Sequence, residues 1–369
     1  MGADTQDVGV LRLGRPTRQL LERYPDAAED FEAAKRYKEL RNRLTLDEDL
    51  DEATAFQIRE ELSNLEPRLT VNRIQNVSMV AATTDTFLAR FTGAYALDYH
   101  PDHIYLDEAA YCPLIKALPL LSLEPDRLTM LGDVHQLPPV CPLGEDAVSQ
   151  SPELILWRLP AVFLGTVFKD SLAALHQREG IDDLPYTDVC FLAHSYRYGQ
   201  YLDDVLGSMV YHGHLTGTAP EGTEMIVLDA PARGTPERWT SPTEVEAIRQ
   251  YLTAASQGSC AILTPYRKQA ALLRQRLPGH WRQSGKTVHS TQGQEWDTVI
   301  LSVVDNRAMF LTDSNNRQTH GLEVINTAVS RAKRRLIIVC DESFWRCQEG
   351  QLLQELIAIA DTQNRNRIA

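Results

Sequence analysis

Short apolar runs alternate with stretches of helical periodicity along most of this 369-residue chain. The runs of the first half are 77–82, 103–106, 127–131 and 161–164, after an earlier candidate strand at 8–13. A second series follows at 189–193, 224–228, 260–263, 287–288, 299–304 and 336–339. Strands that alternate with helices form parallel sheets covered on both faces. The sequence therefore predicts an α/β fold with two parallel sheets in tandem, in domains 1–188 and 189–369, the second ending in a helix.

A helical hairpin is predicted at about 26–67, inside the first domain. Two helices, 26–44 and 45–65, are bracketed by Pro25 and Pro67. Their starts fit capping boxes formed by Asp26 with Glu29 and by Thr45 with Glu48. A polar run at 313–319 indicates a loop. Arg334 and Arg335 are expected at a solvated helix end before the strand 336–339.

Two of the predicted strands end in polar residues suited to phosphoryl chemistry. Asp107 and Glu108 follow the run 103–106, and Gln136 lies just beyond the run 127–131. Asp107 is expected to hold a hydrated Mg²⁺, and Glu108 to orient or deprotonate an attacking water. Gln136 is expected to sense a terminal phosphate. The competing interpretation of such a carboxylate pair is a solvated strand end.

Four later segments extend this pattern. They are HSYR (194–197), LTPYRKQ (263–269), TVHSTQGQEWDTVIL (287–301) and NTAVSRAKRR (326–335). In this order and spacing, the whole series resembles motifs II to VI of superfamily 1 helicases, most closely the nonsense-decay (Upf-type) branch. The resemblance covers roughly residues 77–340 and rests on the series rather than on a single short motif.

The resemblance implies two RecA-like motor domains, with ATP and Mg²⁺ in the cleft between them and single-stranded DNA or RNA as the partner. It also implies that the hairpin is a stalk-like insertion in the first domain. Arg197 and Arg331 match arginine fingers, which stabilise charge on the transferred phosphoryl group. Tyr196 matches a residue that stacks on adenine. Glu295 matches a contact to nucleotide, in a turn shaped by Gln292 and Gly293.

Nucleic-acid contacts are predicted on both domains. Thr264, Pro265, Tyr266 and Gln269 lie at a strand end, where hydroxyl and backbone N–H groups can grip phosphates without reading bases. Thr83 and Thr84 resemble motif Ib and are expected to do the same on the first domain. The resemblance adds Ser290 of motif V to this set.

The phosphate-binding loop of such ATPases, Gly-x-x-x-x-Gly-Lys-Ser/Thr between a strand and a helix, is not found. The segment 279–287 ends in Gly-Lys-Thr, but its first glycine is one residue too far away, and a helical pattern precedes it. By resemblance the chain is expected to begin after motif Ia, with an incomplete first domain. A fragment, a rearranged fold, or another polypeptide that supplies the loop are the alternatives.

Composition limits the other function classes. A net charge of −13 disfavours indiscriminate binding of nucleic acid. The six cysteines are scattered without a zinc or disulfide pattern. No apolar run near 18 residues and no signal peptide are recognised, so a cytoplasmic protein is expected, or a nuclear one in a eukaryote. Two rivals remain: a catalytically inactive binding module, and a nuclease built on Asp107 and Glu108, which requires further carboxylates.

Overall fold

The computed structural model describes residues 9–47, 50–91, 99–140, 190–231, 239–254, 259–306, 310–311 and 321–368. Two compact units are distinguished by their internal contacts: Met1–Ile104 with Ile115–Thr129, and Tyr105–Leu114 with Met130–Ala369. The predicted boundary after residue 188, the run 161–164 and the loop 313–319 lie outside the described residues. Among the described helices, none is long and apolar enough to cross a membrane.

The first unit begins with two parallel strands. β1 (Val10–Arg12) pairs with β2 (Met79–Ala81). Leu11, Leu13 and Ile74 are buried beneath this pair. β3 (His103–Leu106) and β4 (Arg127–Met130) form a separate two-stranded sheet. The helices before residue 130 are Arg18–Arg23, Phe31–Leu46, Glu52–Leu65, Thr70–Arg73, Thr84–Phe91 and Leu114–Leu121.

The two helices of the predicted hairpin are present. Phe31–Leu46 and Glu52–Leu65 pack through the buried residues Ala33, Leu40 and Ile58. Each apolar stripe is covered by the other helix, which is how short amphipathic helices gain stability.

The predicted caps of these helices are wrong. Asp30 accepts a hydrogen bond from Ala33 N at 2.9 Å, and Asp51 accepts one from Thr54 N at 2.8 Å. Asp26 instead lies in a 3₁₀ turn, Pro25–Ala27. Thr45 belongs to the last turn of the first helix, where its hydroxyl donates back to Arg41 O at 2.8 Å. That bond satisfies the hydroxyl inside the helix, so Thr45 does not begin a new one.

A five-stranded parallel sheet organises the second unit, in the order β7-β11-β10-β8-β9. Its strands are β7 (Glu224–Asp229), β8 (Cys260–Thr264), β9 (Gly285–Thr287), β10 (Trp296–Ser302) and β11 (Ala332–Cys340). Alternate side chains face opposite cores: Val299 and Leu301 join one buried cluster, and Ile300 joins the other. Both faces are therefore covered. The predicted α/β fold with parallel sheets is confirmed.

Helices lie along the sheet of the second unit, and their described bounds are Leu202–Met209, Pro242–Ala254, Arg267–Arg276, Gly321–Val329, Glu342–Trp345 and Leu352–Ile368. The last helix contacts the edge strand β7 through Gln363. Its amide nitrogen donates to Thr223 O at 2.8 Å, and its amide oxygen accepts from Met225 N at 2.7 Å. One side chain thus takes the place of a neighbouring strand at this edge.

Three strand predictions need correction. Residues 190–193 are not in a strand, and the short strand there, β5, is His194–Ser195, paired with β6 (Thr216–Gly217). β9 ends one residue earlier than the predicted run 287–288. β11 begins at Ala332, so Arg334 and Arg335 lie in the strand and not at a helix end. Arg335 fits there because its guanidinium pairs with Glu224 of β7 at 2.6 Å.

Candidate nucleotide site

The carboxylate pair after β3 lies in a strained turn. Glu108 has a φ of 51°, a left-handed conformation uncommon for a residue other than glycine. Asp107 accepts a hydrogen bond from Glu108 N at 2.9 Å, and its side chain is exposed. Glu108 Oε2 accepts from the Gln292 amide nitrogen at 2.9 Å. The turn therefore aims the two carboxylates differently, with Glu108 held against the 292–295 segment.

Gln136 is held between an acid and a guanidinium. Its amide nitrogen donates to Asp133 at 2.9 Å, and its amide oxygen accepts from Arg331 Nη2 at 2.5 Å. Asp133 also accepts from His135 N at 2.9 Å, which fixes the turn that carries Gln136. These contacts place two of the sequence-predicted residues, Gln136 and Arg331, side by side.

Arg331 is a buried cation with unused hydrogen-bonding capacity. Its side chain and backbone are only 2% exposed, at the junction of helix Gly321–Val329 and β11. Burial lowers the pKa of its guanidinium, and the nearby positive charge of Arg197 acts in the same direction. Its Nε has no hydrogen-bond partner. An unpaired donor on a buried cation favours an anionic ligand, because leaving it unmet is costly.

Arg197 is the second predicted arginine finger. Its Nε pairs with Glu295 at 2.8 Å, and its Nη1 donates to Ser330 O at 2.9 Å. Glu295 also contacts Lys333. Lys333 and Arg197 together lower the pKa of the Glu295 carboxyl. Arg197 is thereby bonded to the residue that precedes Arg331, and the Glu295 carboxylate balances its charge.

A buried polar network fixes the 133–137 turn to helix Gly321–Val329, and the sequence did not reveal it. Tyr211 donates to Asp133 at 2.6 Å. The Asn326 amide nitrogen donates to Tyr211 Oη at 3.0 Å and to His135 O at 2.8 Å. Burial, followed by the charge of Asp133, raises the pKa of Tyr211. The available signal was a polar Asn326 on a helix that is otherwise largely apolar.

The remaining predicted residues differ in exposure. Tyr196 is 83% exposed, and Gly293 has a φ of 70°, which a glycine tolerates. Ser290 is exposed and donates to Thr287 O at 2.7 Å. Thr83 is exposed and accepts from Thr86 N at 3.2 Å at the start of helix Thr84–Phe91, where Thr84 is half-buried.

The segment predicted to grip nucleic acid in the second unit turns its polar side chains inward. Thr264 and Gln269 are fully buried, and Tyr266 is 8% exposed, while Pro265 between them is half-buried. The Tyr266 hydroxyl donates to Asp305 at 2.5 Å, and the Gln269 amide nitrogen donates to Ser302 at 2.9 Å. Their contact with nucleic acid stays a prediction.

The residues of this site fit ATP with Mg²⁺. In the described part of the chain, the buried side-chain atoms without a hydrogen-bond partner are Gln292 Oε1, Asn326 Oδ1 and Arg331 Nε, all within the same group of residues. Arg331 Nε suits a phosphate oxygen, and the exposed Asp107 carboxylate suits a hydrated Mg²⁺. The described residues contain no group of three or more His, Cys, Asp or Glu placed to bind a metal.

Comparison with known proteins gives one family match and several distant relatives. A family described as "AAA domain" matches residues 169–343. The DNA-binding protein SMUBP-2 of Mesocricetus auratus is 24% identical over 327 residues, covering 77% of this chain and 29% of that protein. SMUBP-2 of Rattus norvegicus is likewise 24% identical over 328 residues. This chain therefore spans less than a third of the length of these relatives.

Among solved structures, an arterivirus helicase, nonstructural protein 10, in complex with DNA is 13% identical. It matches with a TM-score of 0.37 and covers 83% of this chain and 57% of that one. The family match covers less than half of this chain, and the SMUBP-2 relatives resemble it only at low identity.

Proposed function

We propose that this chain carries motifs II to VI of an ATP-dependent superfamily 1 helicase or translocase of the Upf-type branch, acting on single-stranded DNA or RNA. The observation that carries the proposal is the buried Arg331, bonded to Gln136 and left with an unpaired Nε. The large majority of buried side-chain polar atoms have a hydrogen-bond partner, so an unpaired donor on a buried arginine calls for an explanation. One with a free donor beside a phosphate-sensing glutamine is suited to a ligand.

The residues of the site divide the chemistry among them. Bound ATP supplies a γ-phosphoryl group for transfer to water. Glu108, fixed by Gln292, orients the water and accepts its proton. Arg331 and Arg197 stabilise the negative charge on the γ-phosphoryl oxygens while the γ-phosphoryl group separates from ADP, the leaving group. Asp107 would hold Mg²⁺, which would neutralise charge on the phosphates.

Tyr196 and the 293–295 turn are proposed to hold the nucleotide. The exposed Tyr196 ring offers a face for adenine, and Gly293 allows the turn that presents Glu295. The network from Asp133 through Tyr211 to Asn326 would transmit loss of the terminal phosphate from Gln136 to helix Gly321–Val329. Two RecA-like domains, 1–188 and 189–369, complete this proposal, with the helical hairpin as a stalk-like insertion in the first domain.

The phosphate-binding loop is the component that these 369 residues do not contain. We propose that another polypeptide segment supplies it, as a loop whose backbone N–H groups and lysine hold the phosphates. Until it is supplied, the chain should hydrolyse ATP negligibly.

A phosphate-release assay with ATP, Mg²⁺ and single-stranded DNA or RNA tests this proposal. We expect turnover of the chain alone to be far below ~1 s⁻¹, the lower end of usual enzyme rates. Binding of a fluorescent ATP analogue should nevertheless weaken in Arg331→Ala relative to Arg334→Ala, an exposed arginine three residues away. If the chain alone turns over ATP at a normal enzyme rate and Glu108→Gln abolishes that turnover, another group of this chain replaces the loop.

A catalytically inactive module that binds nucleic acid or protein is the second candidate, favoured by the missing loop. It predicts that ATP-analogue binding is equal in wild type, Arg331→Ala and Arg334→Ala. Equal binding in all three would remove the nucleotide site from the proposal and leave only the binding module.

A further inference from the structure

A basic, solvent-exposed surface formed by Arg267 and Lys268 follows β8. Arg267 and Lys268 are both exposed at the start of helix Arg267–Arg276. Neither makes an ion pair or a side-chain hydrogen bond with any residue that the structure describes. Their helix also carries Arg274 and Arg276 and contains no acidic residue. In a chain of net charge −13, this is a local concentration of positive charge.

The polar side chains beside these cations are buried. Thr264 and Gln269 have 0% exposure, and the Tyr266 hydroxyl is bonded to Asp305 at 2.5 Å. A ligand that approaches this strand end therefore meets Arg267 and Lys268 first. The buried residues support the backbone of this basic surface, and the two exposed cations are the side chains that a ligand contacts.

Two buried acidic side chains, Glu244 and Asp305, hold this basic surface in place. Glu244 accepts from Ser302 Oγ at 2.6 Å and from Val304 N at 2.7 Å. Val304 has a φ of 70°, a strained conformation for a β-branched residue that the bond to Glu244 helps to maintain. Ser302 in turn accepts from Gln269 at 2.9 Å, which ties the first turn of the basic helix to β10.

Asp305 supports the residue that precedes this basic surface, Tyr266. Besides the Tyr266 hydroxyl, it accepts from Leu311 N at 3.1 Å. The Trp239 ring lies against the Tyr266 ring, with centroids 4.8 Å apart, and Trp239 is half-buried. An aromatic ring with part of its surface open thus lies beside the residue that precedes Arg267.

We propose that Arg267, Lys268 and Trp239 form a contact surface for a single strand of nucleic acid, and that Glu244 and Asp305 are positioning residues that hold this surface in shape. The two cations meet backbone phosphates and the indole ring meets a base. This combination of adjacent cations and an aromatic face suits a single strand, which presents phosphates and unstacked bases together. An acidic peptide would match the cations but has no bases to place against Trp239. The inference deepens the proposed function and rests on it.

Fluorescence anisotropy with labelled oligo-dT and oligo-U, at several salt concentrations, tests the surface. The Arg267→Gln/Lys268→Gln double variant should bind at least about tenfold more weakly at low salt. The slope of log affinity against log salt should become shallower by about 1.4, from about 0.7 per lost phosphate contact on single strands. Lys35→Gln/Lys38→Gln, which removes two exposed lysines of helix Phe31–Leu46, is the matched control and should bind as wild type does.

Trp239→Ala separates stacking from charge. It should weaken binding while leaving the salt slope unchanged, because the indole ring releases no counterion. Asp305→Asn should keep a hydrogen bond to Tyr266 and bind nearly as wild type does, whereas Asp305→Ala should weaken binding. Equal weakening in both variants would show that the charge of Asp305, and not its bond to Tyr266, matters for binding.

Each remaining outcome decides a different point. If wild type binds the oligonucleotides and the Arg267→Gln/Lys268→Gln variant binds equally well, this surface is refuted while the proposed function stands. If wild type binds polyglutamate as tightly as oligo-dT and the variant loses both, the partner is an anionic polymer and not a single strand. If wild type binds no oligonucleotide, the proposed function and this surface both fail.

Discussion

Glu244 makes the stability of the second unit depend on pH in a direction opposite to that of most carboxylates. Burial raises the pKa of its carboxyl from the ordinary 4.5 to about 8, and its hydrogen bonds to Ser302 and Val304 N only partly offset this. The folded chain therefore keeps a proton that the unfolded chain has already released. The resulting stability is fully present below about pH 4.5 and is lost as the pH rises through about 8.

The magnitude follows from the two pKa values. Between about pH 6.5 and pH 8.5, a carboxyl that titrates near 8 when folded and near 4.5 when unfolded loses about 2 kcal/mol of free energy of unfolding. Glu244→Gln replaces it with a neutral amide of the same shape, so this part of the pH dependence should disappear. Asp305, whose pKa burial raises to about 6, loses most of its contribution below this range.

Urea unfolding followed by tryptophan fluorescence at several pH values measures the effect. Wild type should lose about 2 kcal/mol relative to Glu244→Gln across this range. Glu246→Gln is the matched control, because Glu246 lies on the same helix but is exposed and pairs with Arg249; it should keep the wild-type slope. Two outcomes would refute a buried neutral carboxyl at Glu244. The free energy of unfolding could change with pH equally in wild type and Glu244→Gln, or the wild type could gain stability as the pH rises.

Three stability predictions concern other parts of the fold, each checked by urea unfolding. Tyr211→Phe removes a hydroxyl bonded to the half-buried Asp133 and the buried Asn326 and should cost about 1–3 kcal/mol; a loss below about 0.5 kcal/mol would mean that water replaces it. Leu353→Ala in the core should cost about 2–5 kcal/mol, whereas the exposed Leu46→Ala should cost almost nothing. Asp30→Ala should cost about 1 kcal/mol as a lost cap, and an equal loss in Asp26→Ala would contradict the observed helix start.

The strands were predictable because buried parallel strands need continuous apolar runs. β7, β8, β10 and β11 all overlap their predicted runs, since Ile300 and its neighbours face cores on both sides. Helix starts were less predictable. Asp26 and Asp30 both precede the same helix, and local pattern does not decide which one accepts a hydrogen bond from its backbone.

Side-chain partners distant in sequence were beyond prediction. Asp133 and Tyr211 are separated by 78 residues, and Gln136 and Arg331 by 195. The motif series indicated that Gln136 and Arg331 belong to one site but not that they touch. Thr264 and Gln269 were expected at a surface because they are polar residues at a strand end. Gln269 is instead satisfied inside the fold, where its amide nitrogen donates to Ser302 of β10 and its amide oxygen accepts from Ser241 N.

The Gln363 contact sets a lower limit on how short a soluble piece of the second unit can be. A protein cut at residue 343, where the family match ends, would lose the helix that bonds to Thr223 O and Met225 N. It would also uncover Leu353, Leu356 and Ile357, which are buried against the sheet. An open strand edge next to bare apolar surface is a template for pairing with other chains. Such a piece would form insoluble aggregates during expression, and recombinant versions should extend past Gln363.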